Sequence, residues 1–152
     1  MKELKRILQD PTAKTPQVDF NHLNGDLILS GKSIPENAAL IYEPLLKWVN
    51  EYVNNPRQTT NLRLNLEYFN TASSIWIAKI VKSLSRMKNH DHILFIHLYF
   101  ELEEFDNMET EDIKDALSPV IDIISTATIS IGVKIYGTDD NGKVVKESMV
   151  LL

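Results

Sequence analysis

Asn70-Thr71-Ala72-Ser73-Ser74 sets three hydroxyls and a carboxamide within five residues, in a chain that contains no cysteine. Such side chains accept hydrogen bonds from the first free N–H groups of a helix, so a capped helix start is the simplest chemistry they support. The second is phosphoacceptance. A phosphate on Thr71 would set roughly two negative charges against the positive end of a helix dipole, where free N–H groups can receive its oxygens. That geometry suits a reversible switch. A hydrolase elbow is a poor fit, because Ser73 and Ser74 lack a Gly-x-Ser-x-Gly setting and no triad order is in view.

The elements that must hold this corner are legible on either side. Leu62, Leu64, Leu66 and Tyr68 alternate with Arg63, Asn65 and Glu67, which predicts a strand over 61–69 with those four residues on its buried face. Ile77, Ile80, Val81 and Leu84 recur at helical spacing and predict an amphipathic helix over 75–87, packed on a sheet.

Other constellations carry weaker chemistry. His90, His92 and His97 have no partners at a recognised metal spacing, and His90-Asp91-His92 falls at the predicted turn into a strand. The run Glu101, Glu103, Glu104, Asp106, Glu109, Glu111 and Asp112 reads as a solvated loop, without a nucleophile or a Gly-rich phosphate loop beside it. Asp139-Asp140-Asn141-Gly142 lacks the full ligand pattern of a calcium loop and fits a hairpin turn. No metal or cofactor is expected.

Composition narrows the class. The chain has 152 residues, enough for one domain with a sizeable core, and 21 acidic against 16 basic residues give a net charge of -5. That balance argues against non-specific binding to nucleic acid or to anionic membranes. Without cysteine there is no disulfide framework, thiol nucleophile or thiolate metal site. No apolar run approaches a membrane span and the N-terminus does not resemble a signal peptide, so the expected location is the cytoplasm.

In chain order, Leu4, Ile7 and Leu8 suggest a short helix before Asp10-Pro11. Val18 and Phe20, the Asn24-Gly25 turn, and Leu27, Ile28 and Leu29 predict a hairpin, read as the first two strands. Gly31 to Asn37 is stiffened by Pro35, and Asn37 is a good cap for a helix from Ala38 that carries Ile41, Leu45, Trp48, Val49 and Tyr52. Pro44 inside that pattern predicts a kink or a fresh start, and Trp48 and Tyr52 are expected in the core. Ile93 to Phe100 reads as a strand buried on both faces and parallel to the one before it. A helix is expected over 112–124, broken or kinked at Pro119, followed by a hairpin of 127–136 with 143–151. The fold class is therefore α/β: a mixed β-sheet with packed helices, antiparallel hairpins near both termini and a parallel unit between them.

Gly31-x-Ser33-Ile34-Pro35-Glu36-Asn37, then Pro44-Leu45-Leu46-Lys47-Trp48 and Glu51-Tyr52, then Tyr68-Phe69-Asn70-Thr71 with Ser73-Ser74, resembles the SiaC family of bacterial regulatory phosphoproteins over roughly 15–100. The resemblance implies a single STAS-like (anti-anti-sigma-like) domain over 1–152, with 1–14 as an N-terminal extension and 128–151 as an extra C-terminal hairpin. It implies that Thr71 is phosphorylated by a dedicated protein kinase and freed by a PP2C-type phosphatase, and that the unmodified form binds a diguanylate cyclase or similar output partner. Ser33, Pro35, Glu36, Asn37, Tyr68, Asn70, Ser73 and Ser74 would form the partner-binding surface. Ala72 and Ile75 depart from the serine and lysine common in the family. On this reading the chain is a non-enzymatic carrier of a signal. The alternative is a constitutive protein-interaction or small-ligand module that shares the fold.

Overall fold

The computed structural model describes residues 3–109, 123 and 125–151. Strand β1 (Ile7–Gln9), β2 (Gln17–Asn21), β3 (Asp26–Ser33), β4 (Thr59–Phe69), β5 (Ile93–Glu101), β6 (Ser130–Thr138) and β7 (Val144–Leu151) form a single sheet in that order. Pairing is antiparallel from β1 to β3, parallel from β3 to β6 and antiparallel again between β6 and β7. The described helices are α1 (Ala38–Tyr52), α2 (Thr71–Leu84) and the short α3 (Leu102–Asn107). The expected mixed α/β sheet, with a hairpin near each terminus, is what forms.

The core lies between the sheet and α1 with α2, which pack on each other. Val18, Phe20, Leu27, Leu29, Leu62, Leu94, Ile96, Val133 and Ile135 come from the strands, and Tyr42, Leu45, Val49, Ile80, Val81 and Leu84 come from the helices. Trp48 and Tyr52 are core residues as expected, stacked at 5.3 Å between ring centroids. Each keeps a polar handle satisfied: the Trp48 indole N–H donates to the Lys5 carbonyl, and the Tyr52 hydroxyl lies 2.8 Å from Thr60 Oγ1.

Several sequence expectations change. The N-terminal segment is an edge strand and not a helix, because Ile7 to Gln9 find a ladder on β2 and Arg6 makes a bidentate pair with Asp19. The hairpin around Asn24-Gly25 is therefore the second and third strands. Pro44 neither kinks α1 into two elements nor restarts it, since one helix runs through it from Ala38 to Tyr52. Asn37 occupies the cap position but makes no side-chain cap bond. Tyr68 is 63% exposed instead of buried, because β4 runs on beyond the layer that the helices cover. Helix α2 starts at Thr71, four residues before the expected start at Ile75, and ends at Leu84. Part of the acidic run, 102–107, is helical. The helix expected over 112–124 with its Pro119 break, and the acids Glu111 and Asp112, fall outside the described residues except for Ile123.

Gly25 closes the β2–β3 turn at φ +77, and a Cβ added there would stand 2.6 Å from the Thr59 carbonyl oxygen. Both the left-handed backbone and the contact with main chain penalise any other residue. Gly25→Ala is expected to cost at least about 2 kcal/mol, read as a lower midpoint in urea unfolding.

Candidate functional site

The end of β4 and the start of α2 are joined through one residue. Asn70 is extended, at φ −88 and ψ 171, and its Oδ1 accepts from the Ser73 N–H at 2.9 Å, the cap that the sequence suggested. Its Nδ2 donates to the Pro35 carbonyl at 3.2 Å, and its backbone N–H donates to the Ser33 carbonyl at 3.0 Å. Asn70 thus fastens the α2 N-terminus to the loop that leads from β3 into α1.

Beneath this clamp runs a buried chain of hydroxyls. Ser73 Oγ donates to the Ser33 carbonyl at 2.9 Å, and Ser33 Oγ donates to Ser73 Oγ at 2.8 Å. With the Ser33 proton so committed, the Tyr42 hydroxyl is the donor in its 2.5 Å bond to Ser33 Oγ. Ser33, Ser73 and Tyr42 are fully buried, and burial raises the Tyr42 pKa, which keeps its proton in place as the head of the chain. A buried polar network in which every proton has an acceptor rigidifies its surroundings.

Above the clamp, Thr71 is exposed as the first residue of α2, and that first turn carries no acidic side chain. The N–H groups of Thr71 and Ala72 open the helix and have no acceptor within it, leaving an electropositive end directed at solvent. Around Thr71 in sequence and along the tied loop stand Ile34, Leu40, Tyr68, Phe69 (57% exposed) and Ile75 (53% exposed), large apolar side chains that a folded surface usually hides.

The sequence-predicted residues sort into two groups. Ser33, Pro35, Asn70 and Ser73 are brought together by the bonds above, but Ser33, Pro35 and Ser73 are buried and offer no surface; they position the corner. Glu36, Asn37 and Tyr68 are exposed, with Glu36 paired to Lys14 at 3.2 Å and Tyr68 lying under the Lys32 ammonium. Ser74 is half-buried and donates to the Thr71 carbonyl. Sequence reasoning missed Tyr42, whose spacing from Leu45 and Val49 places it on the buried stripe of α1, where a tyrosine hydroxyl needs a partner. It also missed Phe69 and Ile75 as surface.

A second polar cluster occupies the sheet face away from α1 and α2. His97 is buried, with Nε2 2.8 Å from Asn61 Oδ1 and Nδ1 2.7 Å from the Tyr136 hydroxyl. Because Asn61 Oδ1 only accepts, Nε2 carries the proton and Tyr136 donates to Nδ1. Burial foremost, then the charges of Arg63 and Lys134, lowers the His97 pKa to about 4. The unfolded chain takes up this proton near pH 6.5, so the stability contribution is complete above about 6.5 and is lost as pH falls toward 4. Unfolding free energies from urea titrations across that interval should fall by at most about 1.4 kcal/mol per pH unit from this group, and His97→Gln should flatten the slope. His97 is thus part of a hydrogen-bonded network, and no group of three or more His, Cys, Asp or Glu side chains that could hold a metal lies together among the described residues.

No helix among the described residues is long and apolar enough to cross a membrane. A family model described as SiaC family regulatory phosphoprotein matches residues 9–126. No curated protein matches the chain. Among solved structures, apo-SiaC from Pseudomonas aeruginosa is 16% identical, with a TM-score of 0.64 over 85% of this chain and 98% of that one. The structure of the P. aeruginosa diguanylate cyclase SiaD in complex with its activator SiaC is 17% identical, with a TM-score of 0.65 over 86% of this chain and 99% of the matched one. A further structure of P. aeruginosa SiaC is 23% identical, with a TM-score of 0.58 over 73% and 91%. These likenesses speak for the fold, and the family match spans the corner built by β3, α1, β4 and α2. The chain belongs to the SiaC family of regulatory phosphoproteins.

Proposed function

We propose that this chain is a non-enzymatic cytoplasmic signalling protein, a single regulatory domain over 1–152 in which reversible phosphorylation of Thr71 decides which partner is bound. A protein kinase adds the phosphate, a PP2C-type phosphatase removes it, and the unmodified form docks on a diguanylate cyclase or a similar output enzyme. The observation that supports this best is the setting of Thr71: an exposed hydroxyl at a helix start that buried bonds hold in place, with the exposed apolar side chains Tyr68, Phe69 and Ile75 close to it in the chain. The relative named as an activator of a diguanylate cyclase supports the class of output.

The buried bonds favour a switch that works by surface chemistry. The corner has little freedom to rearrange, whereas an apolar docking face is spoiled by about two charges that must be stripped of water on contact. Glu36, Asn37, Tyr68, Phe69 and Ile75 then meet the partner, while Ser33, Pro35, Asn70 and Ser73 keep that face in shape.

The assay is cyclic dinucleotide formation by the cyclase with the chain added. Unmodified chain is expected to raise the rate and Thr71-phosphorylated chain to leave it at its basal value. Equal stimulation by the two forms would rule out Thr71 as the switch.

A further inference from the structure

Strands β4 and β5 part before either of them ends. Their parallel pairing runs from Thr59↔Ile93 to Leu64↔Leu98, yet β4 continues to Phe69 and β5 to Glu101. Past that point β4 keeps only β3 beside it, through Ser33↔Phe69, and β5 keeps only β6, through Glu101↔Thr138. Glu67 is skipped in the pairing with β3, next to Gly31 at φ +99, which marks a bulge in the strand at this place. Among the described residues, the flank of β4 over 66–69 that turns toward β5 therefore carries no strand.

A strand flank without a neighbour presents main-chain N–H and C=O groups to solvent and is a template for one more strand. Proteins usually blunt such a flank or cover it. Here it is flanked by Tyr68 and Phe69, both more than half exposed, so the side chains beside the free main chain are apolar and open.

Carboxylates predominate around it, with the Lys32 ammonium lying over the Tyr68 ring on the β3 side. Glu67 stands on β4, Glu101 ends β5, and Glu103 and Glu104 open α3; all four are exposed, and none takes part in an ion pair among the described residues. Glu101, Glu103 and Glu104 also line an open cleft of about 420 Å³ whose apolar wall includes Phe100. A visitor that pairs with the main chain of β4 is thus matched in charge if it is basic.

We propose that the opening between β4 and β5 receives an extended basic segment of a protein partner, which adds a strand to β4 over Leu66–Phe69. Main-chain bonds supply affinity, Tyr68 and Phe69 grip alternate apolar side chains, and the four carboxylates select Lys or Arg between them. The site uses the backbone before Thr71 and not its hydroxyl, so it stands or falls separately from the phosphorylation switch.

The test pans a library of random peptides about twelve residues long against the full chain. The enriched peptide is synthesised with its normal backbone and with N-methyl groups on alternate residues. Expected winners alternate Lys or Arg with Val, Ile or aromatic residues, and N-methylation on the pairing side weakens binding at least about tenfold, the loss of one or two main-chain bonds. Hydrogen exchange of the complex should show slowed amides within 66–69. The double variant Glu101→Lys, Glu104→Lys should weaken binding of the unmethylated peptide by a similar factor; the N-methyl comparison needs only the natural chain. The inference is overturned if no peptide is enriched, or if the enriched one is indifferent to N-methylation and leaves the 66–69 amides unchanged. Strand addition with no effect of Thr71 modification on any partner would sink the switch alone, and the reverse pattern would sink only this site.

Discussion

Thr71→Glu is expected to weaken binding of the output partner at least about tenfold, or about 1.4 kcal/mol, while Thr71→Ala binds like the unmodified chain. The reason lies in what surrounds the hydroxyl. Tyr68, Phe69 and Ile75 give a partner apolar area to cover, and a carboxylate beside them must lose its water when that area is covered. Glutamate carries one charge where phosphate carries nearly two, so the phosphorylated chain should bind more weakly still. Alanine removes only an exposed hydroxyl. Titration calorimetry with the four forms gives the order directly, and an order in which Thr71→Ala is the weakest binder would mean that the hydroxyl itself is a contact.

Asn70→Ala should produce the largest loss of stability among changes at the site. It removes the cap on Ser73 N–H and the bond to the Pro35 carbonyl together. A lost cap costs about 1 kcal/mol and a lost hydrogen bond about as much again, which for a chain of this size lowers Tm by roughly 4–8 °C. Asn70→Asp separates the two parts, because it keeps an oxygen for Ser73 and adds favourable charge at the helix start but cannot donate to Pro35. Its Tm should lie between the other two. Partner binding should fall with Asn70→Ala even well below its Tm, since the loop carrying Ile34 and Glu36 keeps its bonds at Ser33 but loses its tie at Pro35. Wild-type Tm for both variants would mean that the clamp is idle.

Much of this fold could be read from residue order. Alternation gave β4 and a mostly apolar run gave β5, the Asn24-Gly25 and Asn141-Gly142 turns marked both hairpins, and the apolar stripe of α1 placed Trp48 and Tyr52 in the core. The departures have physical causes. Leu4, Ile7 and Leu8 fit a helical face equally well, and only the free edge of β2 with its Asp19 decides for a strand. Pro44 forgoes one helical bond, which the packing of Tyr42, Leu45 and Val49 on the sheet outweighs. Tyr68 continues a buried pattern in sequence but lies past the reach of the helices, a fact of layer size that no local pattern carries.

At the site the sequence identified the right residues and could not assign depth to them. Ser33 and Ser73 are small polar residues of kinds usually exposed, and their burial depends on Tyr42, 9 residues along the chain from Ser33, arriving with a hydroxyl to complete the chain of donors. Asn70 was readable as a cap from its neighbours, whereas its second bond, to Pro35 across 35 residues, exists only in the fold.

The most direct measurement is intact mass and peptide mapping of the protein purified from its native host, before and after treatment with a PP2C-type phosphatase. The expected result is one phosphate, located on Thr71 and removed by the phosphatase. A Thr71 that stays unmodified under every growth condition would contradict the switch.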